Sequence, residues 1–328
     1  MVLNRYYRGA QSDHFDGIRF FNPGQVQLDR TLIDVLRWQA AGGRKRWPTS
    51  VCVRQALPVP RCDELRITMI GHATTLIQFR KLNILTDPVW SNRASPFAFA
   101  GPRRVAAPGV AFDRLPPIDC ILLSHNHYDH LDLRTLARLH VVHAPLIVTP
   151  LGNDVIIRSH VPDARIVASD WHASVDLGDG MTTTIVPANH WSARGTKDRR
   201  MALWSGFILK HGRTCLYFAG DTGYCDGSIF REIRARYGAQ DFALLPIGAY
   251  EPRWFMGPQH VDPNEAVQIM KDVGARQALG IHWGTFRLTN EARDAPRTAL
   301  RAALAEQGIS QALFQAAEPG FVYDLEQN

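Results

Sequence analysis

Lysine is scarce in this sequence of 328 residues, supplying five of the 37 basic side chains and leaving the rest to arginine. Runs of like charge are missing too, which excludes a polybasic arm. The formal charge of +6 and the pI near 9.2 permit an acidic partner such as a phosphate or an anionic surface, without selecting one. Cysteine is sparse. Cys52, Cys62, Cys120, Cys215 and Cys225 form no CxxC pair, which excludes a disulfide framework and points to reduced thiols in a cytoplasmic protein. No stretch approaches the ~20 apolar residues of a membrane-spanning helix. The opening MVLNRYYRGAQSDHFDG lacks the apolar stretch of a secretory signal. Peripheral membrane contact stays open. Internal repeats and low-complexity tracts are not found.

What is present is a chain 45% apolar, enough to bury the core of one large domain or two modest ones. Residues 1–60 are rich in aromatics, arginine and turn formers, and read as an extension wrapped on a main domain at 61–328. One helix is expected there, around residues 28–41, because Leu28, Leu32, Val35, Leu36 and Ala40 fall at helical spacing. From Leu65 the texture changes to short apolar strands separated by turns. Strands are expected at 65–69, 74–79, 82–86, 120–123, 146–149, 165–167, 182–187, 205–209, 214–219, 242–246, 277–281 and near 320–324. Helices are expected at 131–139, 263–273 and 291–307. The second has the clearest start, with Asp262 as cap, Pro263 in the first turn and Glu265 three residues after the cap.

The segment His125-Asn126-His127-Tyr128-Asp129-His130 crowds three imidazoles and a carboxylate into six positions. These are the nitrogen and oxygen donors zinc prefers, and no single helix or strand face could present them all. A loop must do so, at the end of the buried strand that precedes it. HxHxDH arises by chance in about one such chain in a thousand. Three later segments repeat the grammar of an apolar strand followed by a metal-binding residue: His190 after 184–187, Asp221 after 215–219, and His282 after 278–281. Functional groups gather beyond the carboxyl ends of strands, where loops converge. Any one of these side chains alone would read as an ordinary hydrogen-bonded residue; four strand-end signals in one chain do not.

HxHxDH followed by a distant His, Asp and His resembles the metallo-β-lactamase superfamily. The resemblance implies an α/β fold, an αββα four-layer sandwich of two mixed sheets flanked by helices. It also implies two metal ions, zinc first, with manganese or iron as alternatives. His125, His127 and His190 would hold one, Asp129, His130 and His282 the other, and Asp221 would bridge them. Asp129 and Asp221 would share in catalysis. Paired cations about 3.5–4 Å apart acidify water and clamp a phosphoryl or carbonyl oxygen. The diiron redox members carry Glu where His127 stands here, so the resemblance favours hydrolysis.

Further segments narrow it. Gly71-His72-Ala73-Thr74-Thr75-Leu76, Thr86-Asp87-Pro88-Val89-Trp90, Arg93-Ala94-Ser95-Pro96, Gly101-Pro102-Arg103-Arg104, Asn189-His190-Trp191-Ser192, Gln259-His260-Val261-Asp262-Pro263 and Ile281-His282-Trp283-Gly284-Thr285 stand in order. Together they are similar to the N-acyl-phosphatidylethanolamine-hydrolysing phospholipase D family, over roughly residues 65–290. The substrate this implies is a phospholipid or small phosphodiester. His260, just ahead of the capped helix, would contact the phosphate or protonate the leaving oxygen. Arg103, Arg104, Arg194, Arg199 and Arg200 are weaker phosphate candidates. Residues 96–100 and Trp254-Phe255-Met256 could form apolar lips for a lipid chain. His72 could orient a ligand.

The nearest rival is a lactonase or phosphodiesterase acting on a small soluble phosphate, as in the ascorbate-6-phosphate lactonase branch. Nucleic acid is not an expected partner, since no appended module for it is seen. A homodimer stays open. A membrane-associated metal-binding scaffold without catalysis would be marked by a missing ligand, and none of the seven is missing.

Overall fold

The computed structural model describes residues 3–25 and 30–324, apart from the side chain of Leu32. Among the described residues, fourteen strands form two mixed sheets of seven. The first contains β1 (Arg66–Gly71), β2 (Thr74–Phe79), β3 (Leu82–Thr86), β4 (Cys120–Leu122), β5 (Leu146–Pro150) and β6 (Arg165–Ser169). The second contains β7 (Ser174–Gly178), β8 (Met181–Val186), β9 (Gly206–His211), β10 (Thr214–Phe218), β11 (Phe242–Pro246), β12 (Gln277–Ile281) and β13 (Phe314–Gln315). The last strand, β14 (Val322–Asp324), returns to pair with β1. In each sheet one half is antiparallel and the other parallel: β3 to β6 in the first, β10 to β13 in the second.

The layers follow from which faces are apolar. Parallel strands are covered on both faces, so they read as continuous apolar runs, and Cys120-Ile121-Leu122 and Phe242-Ala243-Leu244-Leu245 are buried throughout. Alternate residues then serve different layers. Ile67, Ile77, Ile84 and Leu122 of the first sheet meet Ile185, Phe207, Phe218 and Leu244 of the second in the central layer. Leu76, Leu85 and Ile121 face outward against α2 (Leu133–His143) and α3 (Asn153–Arg158). Tyr217, Ala243 and Leu245 face outward against α4 (Ser228–Tyr237), α6 (Pro263–Asp272) and α7 (Ala295–Glu306). This is an αββα sandwich.

Three expected helices shift at their starts. The capping box of α6 forms as expected, Asp262 accepting from Glu265 N at 2.9 Å and Glu265 accepting from Asp262 N at 3.0 Å. Two other helices begin later than expected: α2 after Asp132, whose side chain caps it by accepting from Thr135 N, and α7 after Asp294, which makes no side-chain cap. The N-terminal helix is corrected more. It is α1 (Leu32–Ala41), started by a capping box of Thr31 and Asp34, while Leu28 lies outside the described residues. Of its described side chains, Leu36 is 55% exposed and Trp38 is buried. Ahead of it, Phe15 and Phe20 pack with Leu203 and Trp204, and Asn4 donates to Met201 O at 2.9 Å.

Candidate metal centre

The loops that leave β4, β8, β10 and β12 meet at one end of the sandwich and bring the seven expected ligands together. His127 Nδ1 lies 2.9 Å from His125 Nε2 and 3.3 Å from His190 Nε2. Beside this trio, Asp129 Oδ2 lies 3.3 Å from His282 Nε2 and 3.6 Å from His130 Nε2. Asp221 Oδ2 borders both groups, 3.1 Å from His282 Nε2, 3.2 Å from His130 Nε2, 3.8 Å from His190 Nε2 and 4.0 Å from His125 Nε2. His72 adds to the second group, with Nε2 2.9 Å from Asp129 Oδ2. His72 and His282 both have positive φ, 59° and 61°, so the chain curls inward at these strand ends despite the cost to a residue with a Cβ.

Burial sets the charge states. It holds His127 near pKa 4 and His72 near 3, and it keeps His125 and His190 well below the ordinary imidazole value. Burial alone would also lower His282, but Asp221 and Asp129 outweigh it and raise that group to about 9. His130 is raised for the same reason. Burial would raise both carboxyls; the charge on His130 overrides it and depresses them. Neutral imidazoles and ionised carboxylates are the forms that bind a cation, so a metal would displace the protons that Asp221 and Asp129 favour on His130 and His282.

The donors fit a metal. His130 Nε2, Asp221 Oδ1 and His260 Nδ1 are buried without a hydrogen-bond partner, an expensive arrangement in a protein interior unless a ligand is served. The His-rich nitrogen set with two carboxylates is what zinc takes.

The outer ring nitrogens of His125, His130 and His190 are held by partners that sequence reasoning missed. Asp87, just after β3, receives His130 Nδ1 at 2.6 Å, Ser124 Oγ at 2.6 Å and Ser124 N at 2.7 Å. Ser124 Oγ in turn lies 2.9 Å from His125 Nδ1, and Gln259 O lies 3.0 Å from His190 Nδ1. Asp87 was visible as a carboxylate at a strand end, the same signal that marked His190, Asp221 and His282.

Other candidates are dispersed. His260 belongs to the site: its Nδ1 is 3.9 Å from Asp221 Oδ2, and its ring sits 5.1 Å from His190 and 5.6 Å from His282. Arg194 turns to the motif loop, Nη1 donating to Asn126 O and Leu131 O at 2.9 Å each. Arg104 is buried and donates to Val89 O and Ser91 O. Arg103 is exposed on a separate cavity that no metal-centre residue lines. Arg199 lies over Trp191, whose ring meets His127, and Arg200 donates to Phe20 O. Trp254 and Phe255 sit on α5 (Arg253–Met256). Phe255 stacks on Trp38, and Trp254 is 45% exposed. In residues 96–100, Phe97 and Phe99 are 55% and 81% exposed.

Known proteins agree with this geometry. A family model described as "Beta-lactamase superfamily domain" matches residues 82–283. N-acyl-phosphatidylethanolamine-hydrolyzing phospholipase D 1 of Caenorhabditis elegans is 37% identical over 267 residues, covering 78% of this chain and 75% of that protein. The mitochondrial N-acyl-phosphatidylethanolamine-hydrolyzing phospholipase D of Saccharomyces cerevisiae is also 37% identical, over 229 residues, covering 68% of this chain and 48% of that one. Among solved structures, an isothiocyanate hydrolase from Delia radicum gut bacteria superposes with a TM-score of 0.62 at 22% identity, over 79% of this chain and 100% of that chain, a likeness of fold. The chain belongs to the metallo-β-lactamase superfamily, as a metal-dependent hydrolase resembling the N-acyl-phosphatidylethanolamine-hydrolysing phospholipases D.

Proposed function

We propose that the protein is a dinuclear zinc phosphodiesterase of phospholipase D type, acting on N-acyl-phosphatidylethanolamine-like lipids. The observation that carries the reading is the convergence of His125, His130, His190 and His282 on Asp221 Oδ2, in a chain 37% identical to a phospholipase of that name. His125, His127 and His190 would hold one ion, Asp129, His130 and His282 the other, and Asp221 would serve both. Such a pair, when bound, lowers the pKa of water toward neutrality and offsets charge on phosphoryl oxygens.

The chain's own groups then have distinct tasks. Asp129 is fixed through Oδ2 by His72 and His282, which leaves Oδ1 to accept a proton from the attacking water. His260 presents a buried Nδ1 beside Asp221 and can donate to a phosphoryl oxygen or to the leaving group. The exposed Phe97, Phe99 and Trp254 offer apolar surface for lipid chains or peripheral contact with a membrane. The reading is tested by turnover of a fluorescent N-acyl phospholipid, bis-p-nitrophenyl phosphate and a small lactone, before and after chelation. Chelator-sensitive lipid cleavage supports it; lactone turnover without diester cleavage contradicts it.

A further inference from the structure

A second concave site lies outside the metal centre. It is a cavity of about 460 Å³ lined by Arg44, Arg103 and Arg287 over an apolar floor that includes Trp47, Pro102 and Val105. Its placement follows from one short antiparallel bridge between Arg104 and Phe286. Successive side chains on such a bridge point to opposite faces. Arg104 and Phe286 point inward, the guanidinium 4.8 Å from the Phe286 ring, which in turn packs on His72. Their neighbours Arg103 and Arg287 therefore point outward, into the cavity, one layer of backbone from the metal centre. The N-terminal segment supplies the third arginine. It is fastened there by Lys45 N donating to Asn290 O and Val51 N donating to Val105 O, each at 2.8 Å.

Among the described residues, none of these three guanidinium groups has a carboxylate within 4 Å or a side-chain hydrogen bond; Arg44 has only the Trp38 ring, 4.9 Å away. Some arginines of the chain do have carboxylate partners, among them Arg66 with Asp324, Arg253 with Glu265 and Arg293 with Glu318. Burial, and then the charge of Arg287, lower the pKa of Arg44, as expected where like charges approach one another.

We infer that this cavity binds a phosphate group, held by Arg44, Arg103 and Arg287. The planar fork of arginine matches phosphate oxygens in pairs. The apolar floor of Trp47, Pro102 and Val105 beside the arginines suits a phospholipid headgroup with its chains attached. A free phosphate anion shares the headgroup's chemistry. The site does not depend on what the metal centre cleaves, and its test reads binding alone.

The test compares the metal-loaded protein with a triple variant, Arg44→Gln, Arg103→Gln and Arg287→Gln. A control of equal charge carries Arg213→Gln, Arg236→Gln and Arg301→Gln at exposed positions elsewhere. Each is sedimented with phosphatidylcholine vesicles with and without phosphatidylglycerol, and titrated with inorganic phosphate. The cavity variant should lose affinity for phosphatidylglycerol vesicles by roughly tenfold or more, while the control keeps it. Loss confined to vesicles assigns the headgroup, and a parallel loss of phosphate binding assigns the free anion. Unchanged binding of both probes, or equal loss in the control, overturns the inference. Circular dichroism and metal content, matched across the three proteins, establish that folding is intact.

Discussion

Asp87 Oδ2 lies 2.6 Å from His130 Nδ1, so a carboxylate outside the seven expected ligands orients the ring of a histidine among them. The same carboxylate takes Ser124 N and Oγ, and thereby holds the root of the motif loop. Partners of this kind typically tune metal affinity by about 10–100-fold. Asp87→Ala should weaken metal binding by that order in a chelator-competition titration. An unchanged affinity would make Asp87 a fold residue only.

Arg194 grips the motif loop at two places, donating to Asn126 O and Leu131 O and lying 4.0 Å over the Tyr128 ring. Hydrogen bonds from a charged group are worth about 1.5–3 kcal/mol. Arg194→Ala should lower thermal stability by that order and speed metal loss to a chelator. Arg194→Lys, which keeps the charge but loses the planar fork, should recover only part of both.

His260 touches the site through Asp221 yet is not needed to complete either ligand trio. His260→Ala should lower kcat on a phosphodiester with both metals retained, as read by elemental analysis alongside kinetics. Loss of metal would instead make His260 a ligand.

A pH effect is expected far from the metals. His14 lies between Asp13 and Asp170, with Nε2 2.8 Å from Asp170 Oδ1, and stacks on Trp171. Burial alone would lower its pKa, but the hydrogen bonds to Asp170 and Asp13 raise it above 6.5. Burial would raise Asp170, and His14 depresses it below 3.8. A raised histidine stabilises fully below 6.5, and its contribution is lost as pH climbs through the folded value. A depressed aspartate stabilises fully above 3.8 and loses this as pH falls. The pair therefore contributes most between those two values. His172, the next titratable neighbour of Asp170, is pushed down by burial and then by Arg236, and does not compete there. Melting curves of the native protein and His14→Gln should differ most near pH 5 and converge above neutrality. A constant gap at all pH values would contradict this account.

The ligands were legible because each follows an apolar strand, and a strand buried on both faces announces itself. The parallel strands β4, β11 and β12 were read almost to the residue for that reason. The edge strand β7, Ser174-Val175-Asp176-Leu177-Gly178, is largely exposed and carries little apolar signal. The two-residue β13 is too short to show any period. Helix α4 was hidden because its buried face rests on only Phe230 and Ile233 amid charged residues. Helix α1 was legible as a helix, yet Leu36 of the stripe that marked it faces solvent at 55% exposure. The arginines were the least legible. An Arg reads alike in sequence whether it binds substrate, clamps a loop as Arg194 does, or buries itself as Arg104 does.

Asp221 is the joint of the whole arrangement, within 4.0 Å of four imidazoles that come from three different strand-end loops. The direct measurement is metal stoichiometry by elemental analysis of purified native protein and of Asp221→Ala, with diester hydrolysis followed on the same samples. The account predicts about two ions per chain in the native protein, reduced occupancy and abolished turnover in the variant. A native protein that binds no metal, or an Asp221→Ala variant with full occupancy and full activity, would contradict it.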